Sequence, residues 1–137
     1  MKQFFLDTNI IIDLLADRQP HSKSAIQLFN AAERHLVKLY TSSHSIATTY
    51  YLLKPYTEDR ALRNLLDHVM DYVHPVSIDL TILKRALKSS HKDFEDAIQI
   101  MAASTVSSIH CIVTRNVRDF KLSDIQVLPP DKAVQLI

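Results

Sequence analysis

Short apolar runs alternate with helically spaced apolar stripes along the whole chain. The first run ends in Phe4-Phe5-Leu6 and stops at Asp7, as a strand buried on both faces would. Residues 9–16 carry Ile11, Ile12, Leu14 and Leu15 in a short helical pattern that Pro20 breaks. A helix is predicted over 21–33, with Ala25, Leu28, Phe29 and Ala32 at core spacing, and a second strand over 36–41. Ser42 or Ser43 is placed to cap the next helix, which reaches about Leu53 before Pro55 stops it. Thr57 opens a helix over 58–72 whose Leu62, Leu65, Leu66, Val69 and Met70 face inward. Residues 75–78 read as a weak third strand or a bend. Asp79 caps a helix over 80–88, and Asp93 caps another with Ala97, Ile98, Met101, Ala102 and Thr105 in one stripe. Strands over 111–114 and 124–128 and a short helix over 130–135 complete the pattern.

Strands that alternate with helices favour a parallel sheet covered on both faces. The expected fold class is therefore α/β: a three-layer α/β/α arrangement with a central parallel sheet of four to five strands. No repeat or linker-like stretch interrupts residues 1–137, so one domain is expected. Right-handed crossovers place the carboxyl ends of all the strands on one rim, where ligands of open α/β sheets bind.

That rim is where the acids fall. Asp7 follows the first strand, Asp93, Glu95 and Asp96 open a helix, and Asn116 and Asp119 follow the strand at 111–114. Carboxylates gathered at one edge repel one another, and a hard, oxygen-seeking cation relieves that repulsion. The pattern thus points to a divalent-metal site. Each acid also has a plainer reading. Asp7 and Asp93 can cap helices, Glu95 and Asp96 in a first turn meet the helix dipole favourably, and Asp119 can anchor a turn. The joint occurrence, more than any single acid, supports the metal reading.

Composition narrows the chemistry. Apolar residues make up 47% and charged residues 23% of the chain, as in ordinary globular proteins, and a net charge of +1 neither requires nor excludes nucleic acid. There is no glycine, where average usage of about 7% would supply roughly nine or ten, so Gly-rich phosphate loops are ruled out. Any phosphate must be handled by side chains and metal. Seven histidines lack zinc-type clustering, and no Gly-x-Ser-x-Gly elbow accompanies the serines near His44. The lone Cys111 lies in an apolar run and is expected as a buried, inert thiol. No leader-like or bilayer-length apolar stretch is present, so no membrane contact and a cytoplasmic location are expected.

Asp7-Thr8-Asn9 after an apolar strand, Asp93-Phe94-Glu95-Asp96-Ala97 at a helix start, and Thr114-Arg115-Asn116 with Asp119-Phe120 resemble the motifs of PIN-domain nucleases, in particular the VapC type of toxin. The resemblance covers essentially the whole chain. It implies a Mg²⁺- or Mn²⁺-dependent endoribonuclease, usually dimeric, paired with a small antitoxin protein. Carried across, it makes Asp7, Asp96 and Asp119 the metal-site acids and Asp93 an additional catalytic acid. Thr8, Asn9, Thr48, Thr114 and Asn116 become supporting groups. Two positions depart from the pattern. Asn116 stands where many members have another aspartate, and Thr48, or with less support Thr49, falls where a helix glutamate is usual, which lowers the charge of the site and its expected hold on metal.

Lys92, Arg115 and Arg118 flank the acids and are expected to contact RNA phosphates. A solvated face of cations is the plainer account of the same residues. A homodimer is expected, because the 58–72 helix holds more apolar residues than one small sheet can cover. The competing reading, favoured by Thr48 and Asn116, is a weak or inactive PIN-like module that binds RNA or a protein partner. A DNA-directed 5′-nuclease is disfavoured by the small size of the chain and the lack of accessory elements.

Overall fold

The computed structural model describes residues 1–137. The expected three-layer α/β/α architecture is observed, with five parallel strands in the order β3-β2-β1-β4-β5. The central strand β1 (Lys2–Leu6) pairs with β2 (Val37–Ser42) on one side and β4 (Cys111–Val113) on the other. The edges are β3 (Val73–Val76), against β2, and β5 (Val127–Leu128), against β4. The chain runs outward from β1 to β3 and then returns to the far side of β1 for β4. The strand order therefore reverses between β1 and β4, and this is the crevice where such sheets bind ligands.

The strict two-residue period of β1 fills both layers. Phe4 and Leu6 pack with Leu39, Val73 and Val113 against α1 (Thr8–Leu15), α2 (Ser22–Glu33), the end of α4 (Asp59–Val69) and α7 (Pro130–Val134). Phe5 points the other way, with Ile112, onto Ile100, Ala102 and Ala103 of α6 (Phe94–Ser104). A smaller cluster of Ile82, Ala86, Ala97 and Ile98 joins α5 (Leu80–Lys88) to α6. The remaining helix, α3 (Ser43–Leu53), follows β2.

Boundaries shift where local chemistry overrides the apolar pattern. Ser42 rather than Ser43 caps α3, accepting from the Ser45 amide at 2.9 Å. Glu58 caps α4 by accepting from the amides of Arg60 and Ala61, which sets its start at Asp59, and the helix also ends earlier than predicted, at Val69. The third strand lies at Val73–Val76 because the fully buried Val73 pairs with Leu39. The last strand keeps only the two residues that meet Ile112 and Val113.

With no glycine available, Asp17 (φ 48°), His35 (φ 58°) and Ser108 (φ 61°) take the left-handed turns. Each costs about 1–2 kcal/mol, and Asp and His tolerate it better than most residues. Cys111 is fully buried, and burial pushes its thiol up to about 12, so it stays protonated and unreactive. No helix is long and apolar enough to cross a membrane.

Candidate metal centre at the switch point of the sheet

Asp7 is the residue at which β1 becomes α1, and its backbone amide donates to the carbonyl of Val113 on β4 at 2.9 Å. Its carboxylate is only 7% exposed and receives four donors. The Thr8 amide (2.8 Å) and Gln99 Nε2 (3.2 Å) bond Oδ1. Thr114 Oγ1 (2.7 Å) and Asn9 Nδ2 (3.4 Å) bond Oδ2. Asp7 thus both starts the helix and stands as an oriented carboxylate at the crevice. Fixed donors of this kind support a buried charge in one geometry.

The support extends outward. Thr114 Oγ1 also accepts from Asn9 Nδ2 (3.3 Å) and from the Asn116 amide (3.1 Å), which ties the loop after β4 to the same centre. Gln99 Nε2 further contacts Ser45 Oγ (2.7 Å) and Thr8 Oγ1 (3.3 Å), while Thr8 and Ser45 share a hydrogen bond of 2.7 Å. Ser45 and Gln99 were not picked out from the sequence. The available signal for Gln99 was a polar residue inside the otherwise apolar run Ala97–Ala103; Ser45 offered none beyond its proximity to a cap.

Asp96 lies in the first turn of α6 and lines two neighbouring clefts. One, of ≈ 290 Å³, brings Asp96 together with Asp7, Asn116, Glu95, His44 and Gln99. The other, of ≈ 380 Å³, brings it together with Asp93, Asp119, Lys92, Arg118 and Lys121. Burial pushes the Asp96 carboxyl up from an ordinary 3.8 to about 7, with repulsion from Asp93, Asp7, Asp119 and Glu95 adding to it. Asp96 therefore feels the charges of Asp93, Asp7 and Asp119 across the two clefts. Asp93 also caps α6, accepting from the Asp96 amide at 3.0 Å. Asp119 sits in the 3-10 turn Val117–Phe120.

Two predicted residues are placed otherwise. Thr48 bonds His44 Nε2 (3.3 Å) and is not among the residues lining either cleft. Arg115, expected to touch phosphate, is instead bidentate to the fully buried Asp13 of α1, at 2.6 and 3.1 Å. Its guanidinium is taken up by a carboxylate that has no other close cation except Arg18, at 3.8 Å. Lys92 and Arg118 remain exposed beside Asp93 and Asp119.

The donor set fits a divalent cation. Asp7, Glu95, Asp96 and Asn116 offer hard oxygens to one cleft. Gln99, 2% exposed, has an Oε1 with no hydrogen-bond partner there. No three acidic, histidine or cysteine side chains converge tightly enough to grip an ion by themselves. Mg²⁺ and Mn²⁺ need fewer protein ligands than that, because such ions keep several waters and take one or two carboxylates.

In the metal-free protein the shift of Asp96 has a signed consequence. The folded state holds this proton more tightly than the unfolded chain does. The stabilisation is complete below about pH 4 and is lost as pH rises through about 7. Urea midpoints measured with chelator should fall between pH 4 and 8 for the wild type, and Asp96→Asn should flatten that fall.

The acid-lined crevice thus lies at the switch point of a parallel sheet that has no glycine loop. The PIN domain family matches residues 3–118, and the chain belongs to that family. It is similar to Ribonuclease VapC1 of Aquifex aeolicus (strain VF5), with 24% identity over 136 residues, 96% of this chain and 92% of that one. Its fold is similar to that of VapBC-1 from nontypeable Haemophilus influenzae, with a TM-score of 0.68 and 19% identity, covering 94% of this chain and 98% of that one. VapBC2 from Rickettsia felis, bound to a DNA fragment from its promoter, gives a TM-score of 0.67 at 14% identity, covering 93% and 98%.

Proposed function

We propose that this chain is a divalent-metal-dependent endoribonuclease, using Mg²⁺ or Mn²⁺, and the toxin half of a type II toxin–antitoxin pair acting in the cytoplasm. The carrying observation is Asp96 of a PIN domain, which lines both the cleft of Asp7 and the adjoining cleft of Asp93 and Asp119. Asp7 and Asp96 would hold the ion, with Asp119 and Asp93 on the adjoining cleft. When bound, the ion lowers the pKa of a water and offsets the charge that builds on the phosphoryl oxygens. The chain's own residues do the rest. Thr8, Asn9, Thr114 and Gln99 fix the Asp7 carboxylate, and Ser45 fixes Gln99. Asn116 adds an uncharged oxygen, while Thr48 acts only at a distance through His44. Lys92, Arg118 and Lys121 line the outer cleft and would meet RNA phosphates on either side of the cut. The test is Mn²⁺-dependent cleavage of a panel of structured RNAs by the wild type and Asp96→Asn. Cleavage by the wild type alone supports the reading, and equal residual activity in both rejects it in favour of a non-catalytic RNA- or protein-binding module.

Partner surfaces support the same reading. α4 has apolar grooves along both flanks. Leu14, Leu15, Phe29, Leu65, Val69 and Tyr72 line one; Ile46, Tyr50, Tyr51, Leu66 and Met70 line the other. Tyr51 is 69% exposed. Two such faces suit a second copy and a small antitoxin. Light scattering at micromolar concentration should give the mass of a dimer; a monomer would remove the homodimer from the proposal.

A further inference from the structure

The cleft shared by Asp7 and Asp96 is lined by one permanent cation, Arg18, which the nuclease reading leaves unused. The turn after α1 puts it there. Asp17 takes the left-handed conformation, the Arg18 amide donates to the carbonyl of Asp13 (3.1 Å), and the Arg18 carbonyl accepts from the Ser22 amide (2.7 Å). The backbone of Arg18 is thus pinned on both sides, while its side chain is 47% exposed. The guanidinium is poorly matched. Its nearest carboxylate, Asp13, lies 3.8 Å away, too far for a hydrogen bond, and Arg115 already grips both oxygens of Asp13. One buried carboxylate therefore faces two guanidiniums. One positive charge is left over, and it sits on the more exposed and less well bonded arginine, Arg18. The other basic group of the cleft, His44, is engaged between Thr48 Oγ1 (3.3 Å) and Glu95 Oε1 (3.8 Å). The plain role for Arg18 is to screen the acids around it. The layout of cations gives it another. Lys92, Arg118 and Lys121 line the outer cleft, Asp96 lines both clefts, and in the inner one only Arg18 can meet a backbone phosphate with a full charge. A planar guanidinium suits that contact, because its fork of donors matches two phosphate oxygens at once.

We propose that Arg18 is a phosphate-binding residue, its guanidinium holding an RNA backbone phosphate in the Asp7 cleft as Lys92, Arg118 and Lys121 would in the adjoining one. The inference rests on the nuclease reading above, and the experiment separates the two. A short fluorescent single-stranded RNA is titrated in chelator with the wild type, Arg18→Ala, Arg18→Lys and Lys23→Ala, at a series of salt concentrations, and binding is read by anisotropy. Lys23 is exposed on α2 and lines neither cleft, so its loss controls for net charge. Arg18→Ala is expected to bind about 10-fold more weakly, as the loss of a charge-assisted hydrogen bond implies. Its plot of log affinity against log salt should be shallower by about 0.7, the share of one phosphate contact on a single strand. Arg18→Lys should keep the slope and recover part of the affinity, since it keeps the charge without the fork. In Mn²⁺, Arg18→Ala should raise KM more than it lowers kcat. Urea midpoints should stay near that of the wild type, because Arg115 still holds Asp13. If Arg18→Ala binds within twofold of Lys23→Ala with an unchanged slope, Arg18 only screens acids and the inference falls, while cleavage that Asp96→Asn abolishes keeps the nuclease reading. Arg18-dependent RNA binding by a protein that cleaves no RNA keeps the phosphate contact and rejects the nuclease reading alone.

Discussion

Replacing Asp7 by asparagine is expected to lower Mn²⁺-dependent RNA cleavage by about 100-fold or more, because a carboxylate proposed to hold the ion is lost and losing even a supporting group of a metal site costs about 10–100-fold. Stability should fall as well, and the reason is specific to this carboxylate. Both of its oxygens accept hydrogen bonds from fixed donors: the Thr8 amide and Gln99 on one, Thr114 and Asn9 on the other. An asparagine there must turn an NH₂ group toward one of those pairs, which sets donor against donor in a buried site. A mismatch of that kind costs about 1–3 kcal/mol. Asp96→Asn should behave differently. Asp96 is crowded by neighbouring acids and gains no stability from being charged, so its amide should abolish cleavage while stabilising the metal-free protein above pH 7. Single-turnover cleavage and urea denaturation of the two variants give opposite signs in stability and the same sign in activity. Unchanged cleavage by Asp7→Asn would remove Asp7 from the site.

Arg115→Ala is expected to lower folding stability by about 3 kcal/mol, because removing one partner strands a buried charge. Asp13 is 0% exposed, and Arg115 grips both of its oxygens. Arg18 reaches Asp13 only at 3.8 Å from a side chain that is half in solvent, so it compensates little. Replacing the whole pair, Asp13→Leu with Arg115→Met, should recover most of the loss, since apolar substitutes for a buried ion pair are often neutral. Denaturant unfolding decides this. A small stability change for Arg115→Ala together with weaker RNA binding and a shallower salt dependence would return Arg115 to the phosphate contacts.

The layers and the position of the crevice were legible because apolar runs and stripes have different periods, and β1, α2, β2 and β4 show theirs cleanly. Asp7 was legible because it sits immediately after a strand, Asp93 and Asp96 because they open a helix, and Asp119 because it lies in the turn beyond β4. What escaped the pattern depended on partners far along the chain. Asp13 lies in the apolar run Ile10–Leu15 and Gln99 in a similar one. In each case a polar residue amid apolar neighbours signals a buried bond whose partner only folding reveals. Arg115 looked like a phosphate contact because its neighbours are acids and cations; the residue that claims it is 102 positions away. The third strand was misplaced toward Pro75 because local breaker chemistry outweighed Val73, whose burial depends on Leu39.

The margins of the sheet limit how copies of this protein can join. One margin is the four-residue β3, which includes Pro75, and the other is the two-residue β5. Short borders, one carrying proline, offer little backbone for an incoming strand to zip onto. Recruitment by strand addition, and fibril-like stacking with it, is therefore disfavoured from the outset. Whatever assembles with this protein must grip it by side chains on its helical flanks.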